Sequence, residues 1–508
     1  MNKYILPFCC LLAACSCSAN KSDSDEPAKP ELKPRLVVMT DIGPADVEPD
    51  DNESAVRLLS YADRFEIEAI CTTIGWNCDP YPEEWADYLY RVVDAYETDV
   101  CNLMKRSKQE GHLTLDEENS LPQEIGYWPS AEYIRSRCMM GSKRAGIGVI
   151  GEGNDSEGSE MLIRLADEDD DRPIWVTSWG GSNTLAQAIW KVQQTRTPEE
   201  LKKFLQKFRI YTITDQDMQW SMRMQRDYSS HMWMRKEFKD DLKFVWDESA
   251  WLNQNALGVQ NWDKYASLIQ GKGEMGKVYP KYLWGVEGDT PSFLNVMPNG
   301  LNDPEDPTQA GWGGYHVFGL SPDSITYSWT NWEEPIKSAS DAYEKKFYPD
   351  EFNDFAARMA WAENGTGNTN PVVIVNGNKG TAPIYINARA GETITLDASE
   401  TFDPEGDSLT FDWWVQKEIS SPVEIANPSA KIITVTIPEN AAGKTHIVCE
   451  VHDNGAFNLV AYRRVVIRFF DCVELPHNLI TLNVRSKGSV LASEDLLDID
   501  RLSQSKMA

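Results

Sequence analysis

From residue 36 to about residue 190 the chain alternates short apolar runs with stretches whose apolar residues recur three and four positions apart. The runs at 36–40, 66–73 and 174–178 read as buried strands, and 52–62, 83–96, 157–166 and 183–192 read as helices. A further apolar run at 208–214 continues the series. Strands alternating with helices predict an α/β domain built on a mostly parallel sheet flanked by helices. Ligands of such sheets sit beyond the carboxyl ends of the strands. At those ends the sequence places Thr40-Asp41, Gly75-Trp76-Asn77, Trp179-Gly180-Gly181 and Asp215-Gln216-Asp217. Ends so alike in character predict a single crevice.

The pattern changes after ENGTGNTNP at 363–371, a turn-rich stretch that reads as a domain boundary. Beyond it, short alternating segments at 393–397, 409–415, 431–437, 447–452 and 460–467 are separated by turns such as Asp403-Pro404-Glu405-Gly406. This spacing predicts an all-β, immunoglobulin-like sandwich over 371–471. The α/β domain then spans 36–365, and 472–508 form a tail without a sandwich pattern. Gly146-Ile147-Gly148-Val149-Ile150-Gly151 spells GxGxxG but does not join a strand to a helix. It reads as a loop leading to the helix at Ser156 rather than as a dinucleotide site.

Lys3 precedes an apolar run over 4–14 that is too short to span a bilayer and is shaped like a secretory leader. Leu12-Ala13-Ala14-Cys15 resembles the lipobox of bacterial lipoproteins. The expectation is a signal peptide over 1–14, an acylated Cys15 and a Pro-punctuated flexible tether over 15–35. The chain would then be exported and held to the outer membrane by its lipid alone, on the periplasmic or cell-surface side. A plain signal peptide with incidental cysteines is the simpler alternative. Export implies an oxidising compartment, where Cys71, Cys78, Cys101 and Cys138 are candidates for pairing.

Charge narrows the ligand. With 79 acidic and 49 basic residues the formal net charge is −30, which works against nucleic acid and against an anionic membrane surface. A neutral ligand, or one held through a cation, suits it better. The 18 tryptophans are many for this length. Core filling is the common fate of an indole, but its flat face also suits a sugar ring.

The candidate chemistry lies in RLVVMTDIGPADVEPDDNESAVRLL, residues 35–59, where Asp41, Asp46, Glu48, Asp50 and Asp51 stand between a strand and a helix. Crowded carboxylates repel unless they are solvated, protonated or gathered around a cation. Calcium takes about six to eight oxygen ligands. Asp41 and Asp51 offer two carboxylates from one turn, and Asp289 in GVEGDTPSFL offers a third.

MTDIG followed by DD, then TTIGWN, WGGSNTLAQAI and EGDTPSF, resembles the nucleoside hydrolase superfamily in order and spacing. With RIYTITDQD, NGLNDPEDP, GWGG, DASETFDPEGDSLTFDWW and YRRVVI, the chain more closely resembles one family of cellulose-binding proteins. That family couples a nucleoside-hydrolase-like domain to an immunoglobulin-like C-terminal domain, and the resemblance covers roughly residues 35–467. It implies one Ca2+ held by Asp41, Asp51, Asp289 and the backbone carbonyl of Asn183. It also implies that Asp50 and Asn77 bind sugar hydroxyls, while Asp41 accepts a proton from the calcium-bound water. Asp50 and Asn183 equally read as helix caps, and Asn77 as a turn residue. Trp76 and Trp179, with Trp312, are candidates for a sugar-facing wall, and Asp217, with Asp215, for substrate contact. Core packing and structural hydrogen bonds are the respective alternatives.

The chain departs from the superfamily in four places. Asp41 and Asp50 stand nine positions apart, a longer loop than usual. Met39 replaces an additional aspartate, and Gly288 replaces the histidine that helps a nucleobase leave. Met218-Gln219-Trp220-Ser221 follow the DQD motif in place of the usual glycine and proline. Two functions follow from these residues. One is a calcium-dependent hydrolase of glycosyl bonds in a sugar or glycoside, acting by metal-activated water. The other is a non-catalytic lipoprotein that binds cellulose or another plant polysaccharide. A ribonucleoside hydrolase is a third, weaker reading, and the oligomeric state stays open.

Overall fold

The computed structural model describes residues 30–217 and 228–470. Cys15, the leader, most of the tether, Met218 to Ser221 and the 472–508 tail lie outside the described residues. The strands of the first domain are β1 (Arg35–Thr40), β2 (Glu66–Thr72), β3 (Cys138–Met140), β4 (Ile174–Ser178), β5 (Phe208–Ile213), β6 (Lys243–Asp247), β7 (Val317–Leu320) and β8 (Tyr327–Thr330). They form one sheet in the order β3-β2-β1-β4-β5-β6-β8-β7. Every neighbouring pair is parallel except β7 with β8.

The β1 sequence RLVVMT is buried throughout, as a central strand covered on both faces must be. Leu36 and Val38 join the core that includes Val56 and Leu59 of the Pro49–Ser60 helix. Val37 and Met39 point the other way, toward Leu162 of the Glu157–Asp167 helix and Leu185 of the Asn183–Thr195 helix. From β1 the chain moves first to β2 and later to β4 on the opposite side. Strand order therefore reverses at β1, and Asp41 emerges at that switch point.

The helix after β1 begins at Pro49, ahead of the expected 52, because proline needs no hydrogen-bond partner at the first position. Asp50 and Asp51 fall in its first turn, where the positive end of the helix dipole favours acids. The GxGxxG segment is a short turn of 3-10 helix over Ile147–Val149 that leads to the helix capped by Ser156, as expected.

The second domain is all β. Ile384–Arg389, Val460–Phe470, Lys444–His452 and Thr410–Val415 form one sheet, and Thr393–Asp397, Ile432–Thr436 and Glu424–Ala426 form another. Both contribute to a core containing Leu396, Trp413, Val435, Ile447 and Val465. The Ile336–Asn364 helix closes the first domain and ends at Gly365 with φ 66°. It also docks the second domain. Lys346 Nζ lies 2.6 Å from Glu450, and the Tyr462 hydroxyl donates to Asp350 at 3.0 Å.

The expectation of cysteine pairing is not met. Cys71, Cys78, Cys101, Cys138 and Cys449 are all free thiols. No helix among the described residues is long and apolar enough to cross a membrane.

Candidate metal centre

Asp41 leaves β1 directly into a space that two glycines keep open. A Cβ on Gly75 would lie 1.5 Å from Asp41 Oδ2, and one on Gly180 would lie 3.0 Å from Asp41 Oδ1. Neither glycine has a positive φ, so it is close approach that requires them. The backbone locks this arrangement, since Gly180 N–H donates to Met39 O at 2.9 Å and Gly181 N–H to Ile74 O at 2.7 Å. Asp51 comes back over the strand end from the helix, and Thr40 Oγ1 donates to its Oδ1.

The rest of the loop closes around the same point. Glu48 occupies the helix N-cap position without making a capping bond. Its carboxylate instead accepts from Asn77 Nδ2 at 2.5 Å. Asn52 Nδ2 pins the loop by donating to Gly43 O and Glu48 O, each at 2.8 Å. Carboxylate oxygens of Glu48, Asp50 and Asp51 lie within 4.8 Å of one another. Asp289 arrives from the EGDT turn, whose Thr290 hydroxyl is 3.1 Å from that of Ser54 on the Pro49–Ser60 helix. Of the loop acids only Asp46 is exposed.

The electrostatics are those of crowded, buried acids. Burial, followed by the charges of Asp51, Glu48 and Asp50, pushes Asp41 well above the carboxylate range. Asp289 is raised in the same way by burial and then by Asp51, Asp50, Asp41 and Glu48. Burial lifts Asp50 to about 6, and burial with the Asp50 charge lifts Asp51 to about 8. Glu48 is pushed up to about 9 by burial and by Asp50 and Asp51. Asp50 Oδ1, Asp289 Oδ2 and Asn183 Oδ1 are buried acceptors without a partner. A buried acceptor left unsatisfied is costly, and the two on Asp50 and Asp289 within one acid cluster fit a hard divalent cation.

The structure brings together Asp41, Asp50, Asp51 and Asp289, with Asn77 at the rim. Asn183 begins its helix, but Ser182 rather than Asn183 is the N-cap. Its side chain donates to Gly146 O at 2.9 Å. Glu48 was not among the expected site residues; its only signal is the long loop, which inserts an extra acid ahead of the Asp50-Asp51 pair.

Two expectations are corrected. Trp179 does not face a sugar: it is 1% exposed, tilts against Phe293 and donates through Nε1 to Ser292 Oγ at 2.8 Å. Ser292 in turn donates to Asp289 O at 2.6 Å, so Trp179 supports the turn that carries Asp289. Trp312 is likewise buried, at the domain junction beside Tyr462. Asp217 does not reach into the crevice either. It is fully buried and accepts from the backbone N–H groups of Ser182 and His231 and from the Ser230 hydroxyl. Trp76 is half-buried, donates to Asp215 O at 3.1 Å and meets Trp251 edge to face.

The sequence matches the family model for the cellulose-binding Sde182 nucleoside hydrolase-like domain over residues 35–316. It matches that for the cellulose-binding protein Sde0182 C-terminal domain over residues 393–469. Among solved structures it is similar to a nucleoside hydrolase-related hypothetical protein from Saccharophagus degradans described as associated with carbohydrate metabolism. The identity is 36%, over 86% of this chain and 100% of that one, with a TM-score of 0.71. A PKD domain from KIAA 1837 protein is 19% identical over 18% of this chain and 80% of its own, with a TM-score of 0.15. The endo-fucoidan hydrolase MfFcnA9 from glycoside hydrolase family 107 is 9% identical over 86% of this chain and 80% of its own, with a TM-score of 0.17. Superpositions that poor carry nothing further. No curated protein matches the chain.

Proposed function

Because this chain belongs to the cellulose-binding Sde182 family, with its nucleoside hydrolase-like domain, we propose that it hydrolyses a glycosyl bond of a carbohydrate ligand and depends on calcium. The convergence of Asp41, Asp50, Asp51 and Asp289, with orphaned acceptors on two of them, supports this reading. Asp41, Asp51, Asp289 and the Asn183 carbonyl would hold the ion. When bound, calcium supplies Lewis-acid chemistry, lowering the pKa of water and orienting it.

The chain's own residues do the rest. Asp41, fixed between Gly75 and Gly180, takes the proton of the attacking water as the bond from the anomeric carbon to the leaving group breaks, and the leaving group takes its proton from solvent. Asp50 and Asn77 accept from and donate to sugar hydroxyls and so set the ring. The negative charge of the cluster favours an oxocarbenium-like transition state. The test is hydrolysis of aryl glycosides and of nucleosides by the full chain, with and without a chelator. Turnover that needs calcium and is lost in Asp41→Asn supports the reading; turnover indifferent to both overturns it.

One observation favours a second reading, sugar binding without turnover. Gly288 offers no acid to protonate a leaving group, and the amide of Asn255 stands against it. A binder would retain polysaccharide affinity in Asp41→Asn. In either case we read residues 1–14 as a lipoprotein signal peptide and Cys15 as the acylated anchor, which puts glycans outside the cytoplasm within reach.

A further inference from the structure

The place of the missing histidine is filled. A Cβ on Gly288 would lie 3.0 Å from Asn255 Oδ1, 3.1 Å from its Nδ2 and 3.1 Å from Asp50 Oδ2. A Cβ on Gly285 would lie 2.2 Å from Asn255 Cγ. Neither glycine has a positive φ, so both are there to admit the Asn255 amide. That amide is delivered by the Ala250–Gln260 helix, whose start is set by the buried Asp247 at the end of β6. Asp247 accepts from the N–H groups of Ser249, Ala250 and Trp251 at 3.2, 2.9 and 2.9 Å.

Asn255 Oδ1 is buried and has no partner among the described residues. One helical turn earlier, on the same face, Trp251 carries a buried Nε1 donor that is also without a partner. Its ring meets Trp76, which follows the Gly75 that packs on Asp41. Trp284 directly precedes Gly285. It is 71% exposed, and its Nε1 donates at 3.3 Å to the carbonyl of Val47, the residue before Glu48. One orphan acceptor beside Asp50, one orphan donor beside Trp76 and an exposed indole over Val47 therefore border the acid cluster.

We propose that this wall is a subsite for a second sugar ring. Asn255 accepts a ring hydroxyl, Trp251 Nε1 donates to another, and Trp284 stacks on the face of the ring. A sugar ring meets all three, with hydroxyl donors and acceptors along its edges and apolar C–H faces above and below; the occupant is an O-linked glycan, and a nucleoside is the competitor that the test decides. This rests on the function proposed above and names its substrate class.

The test separates the two. Calcium alone is titrated calorimetrically into the full chain and into Asn255→Ala, Trp284→Ala and Trp251→Phe. Cellotetraose and inosine are then each titrated into the calcium-loaded proteins. Calcium affinity within about twofold of the parent, with cellotetraose affinity at least tenfold weaker in Asn255→Ala and Trp284→Ala, supports the subsite. Trp284 is exposed, so its variant reports even if Asn255→Ala folds poorly. Cellotetraose bound equally by parent and variants overturns the subsite and leaves the metal centre intact. So does a parent that takes up calcium and prefers inosine. A parent that binds no calcium refutes the metal centre instead, and the subsite then stands or falls on cellotetraose binding alone.

Discussion

Arg57 and Glu287 form an ion pair at 2.5 Å although 230 positions separate them, and neither side chain is exposed to solvent. Arg57 sits on the helix that carries Asp50 and Asp51, and Glu287 lies two residues before Asp289. Glu53 on the same helix accepts from the Glu287 N–H at 2.7 Å, and Tyr279 and Gln254 complete the bonds of the Glu287 carboxylate. This buried network clamps the late turn onto the early helix and so assembles the acids.

Breaking that pair should therefore cost both stability and metal affinity. Arg57→Met leaves the Glu287 carboxyl without its cation in the core, a loss of about 3–5 kcal/mol. Denaturant unfolding should show this loss, and the double variant Arg57→Met/Glu287→Leu should recover part of it. Calorimetry should find calcium affinity reduced in the single variant. A single variant as stable as the parent would dismiss the clamp.

Calcium should stabilise the fold and chelation should weaken it. At about a hundredfold excess over Kd a ligand confined to the native state adds about 2.7 kcal/mol. The acids must shed protons to take a cation, and all of them are raised in its absence. Affinity should therefore climb as pH rises from about 6 to about 9, with protons released on binding. Calorimetry in two buffers of different ionisation heat measures that release. Asp289→Asn, which keeps the shape but removes the charge, should abolish most of the gain.

Much of this was legible in the sequence, and the misses have physical causes. The strands at 36–40, 174–178 and 393–397 and the helix from 183 follow from local pattern, because buried parallel strands and amphipathic helices advertise themselves. β3 has three residues, and β6 to β8 include polar or exposed positions, so no local period marks them. Asp41, Asp51 and Asp289 were legible as acids at matching motifs. Glu48 was legible as an acid of the loop but not as a site residue, because the lengthened loop has no matching motif position for it. Asn255 was hidden because only the fold brings it to Gly288. Trp179 and Asp217 misled because a residue at a strand end can equally turn inward, and both do.

The junction between the domains should depend on pH. Burial alone would raise the Glu450 carboxyl, but bonds from His452 and Lys346, the Lys346 charge and the Trp414 bond outweigh it and hold it at about 2. A depressed carboxyl contributes stability above its unfolded value of about 4.3, lost as pH falls toward 2. For a side chain 9% exposed, that amounts to about 2–3 kcal/mol. Burial works against the charge of His452, but Glu450 and Asp350 raise its value. Its contribution is present below about 6.5 and lost as pH rises through the raised value. Stability measured against pH should therefore pass through a maximum between about 4.5 and 6.5 in this contribution. Glu450→Gln should flatten the acid limb relative to the parent, and an unchanged limb would dismiss the coupling.

Thiol reactivity should single out one position among the described cysteines. Burial pushes the Cys71 and Cys138 thiols up to about 12 and raises Cys78 and Cys449 as well. The reactive form is the thiolate, so these four should resist alkylation in the native protein. Cys101 is exposed and should react first. Peptide mapping after brief native alkylation checks the order, and early labelling of Cys71 or Cys138 would contradict the packing of β2 against β3.

The sharpest test of the centre uses space rather than charge. Gly75 and Gly180 leave Asp41 its position, and a methyl at Gly75 would overlap the carboxylate itself at 1.5 Å. Gly75→Ala must therefore displace either Asp41 or the loop after β2, although it alters no ligand atom and no net charge. Calcium affinity should fall at least a hundredfold, about 2.7 kcal/mol at 25 °C. Gly148→Ala is the matched control, since its added methyl meets nothing within 4 Å and its φ is not positive. It should bind calcium as the parent does. If Gly75→Ala also bound normally, Asp41 would not be a ligand, and the carboxylates behind it would need another explanation for their burial.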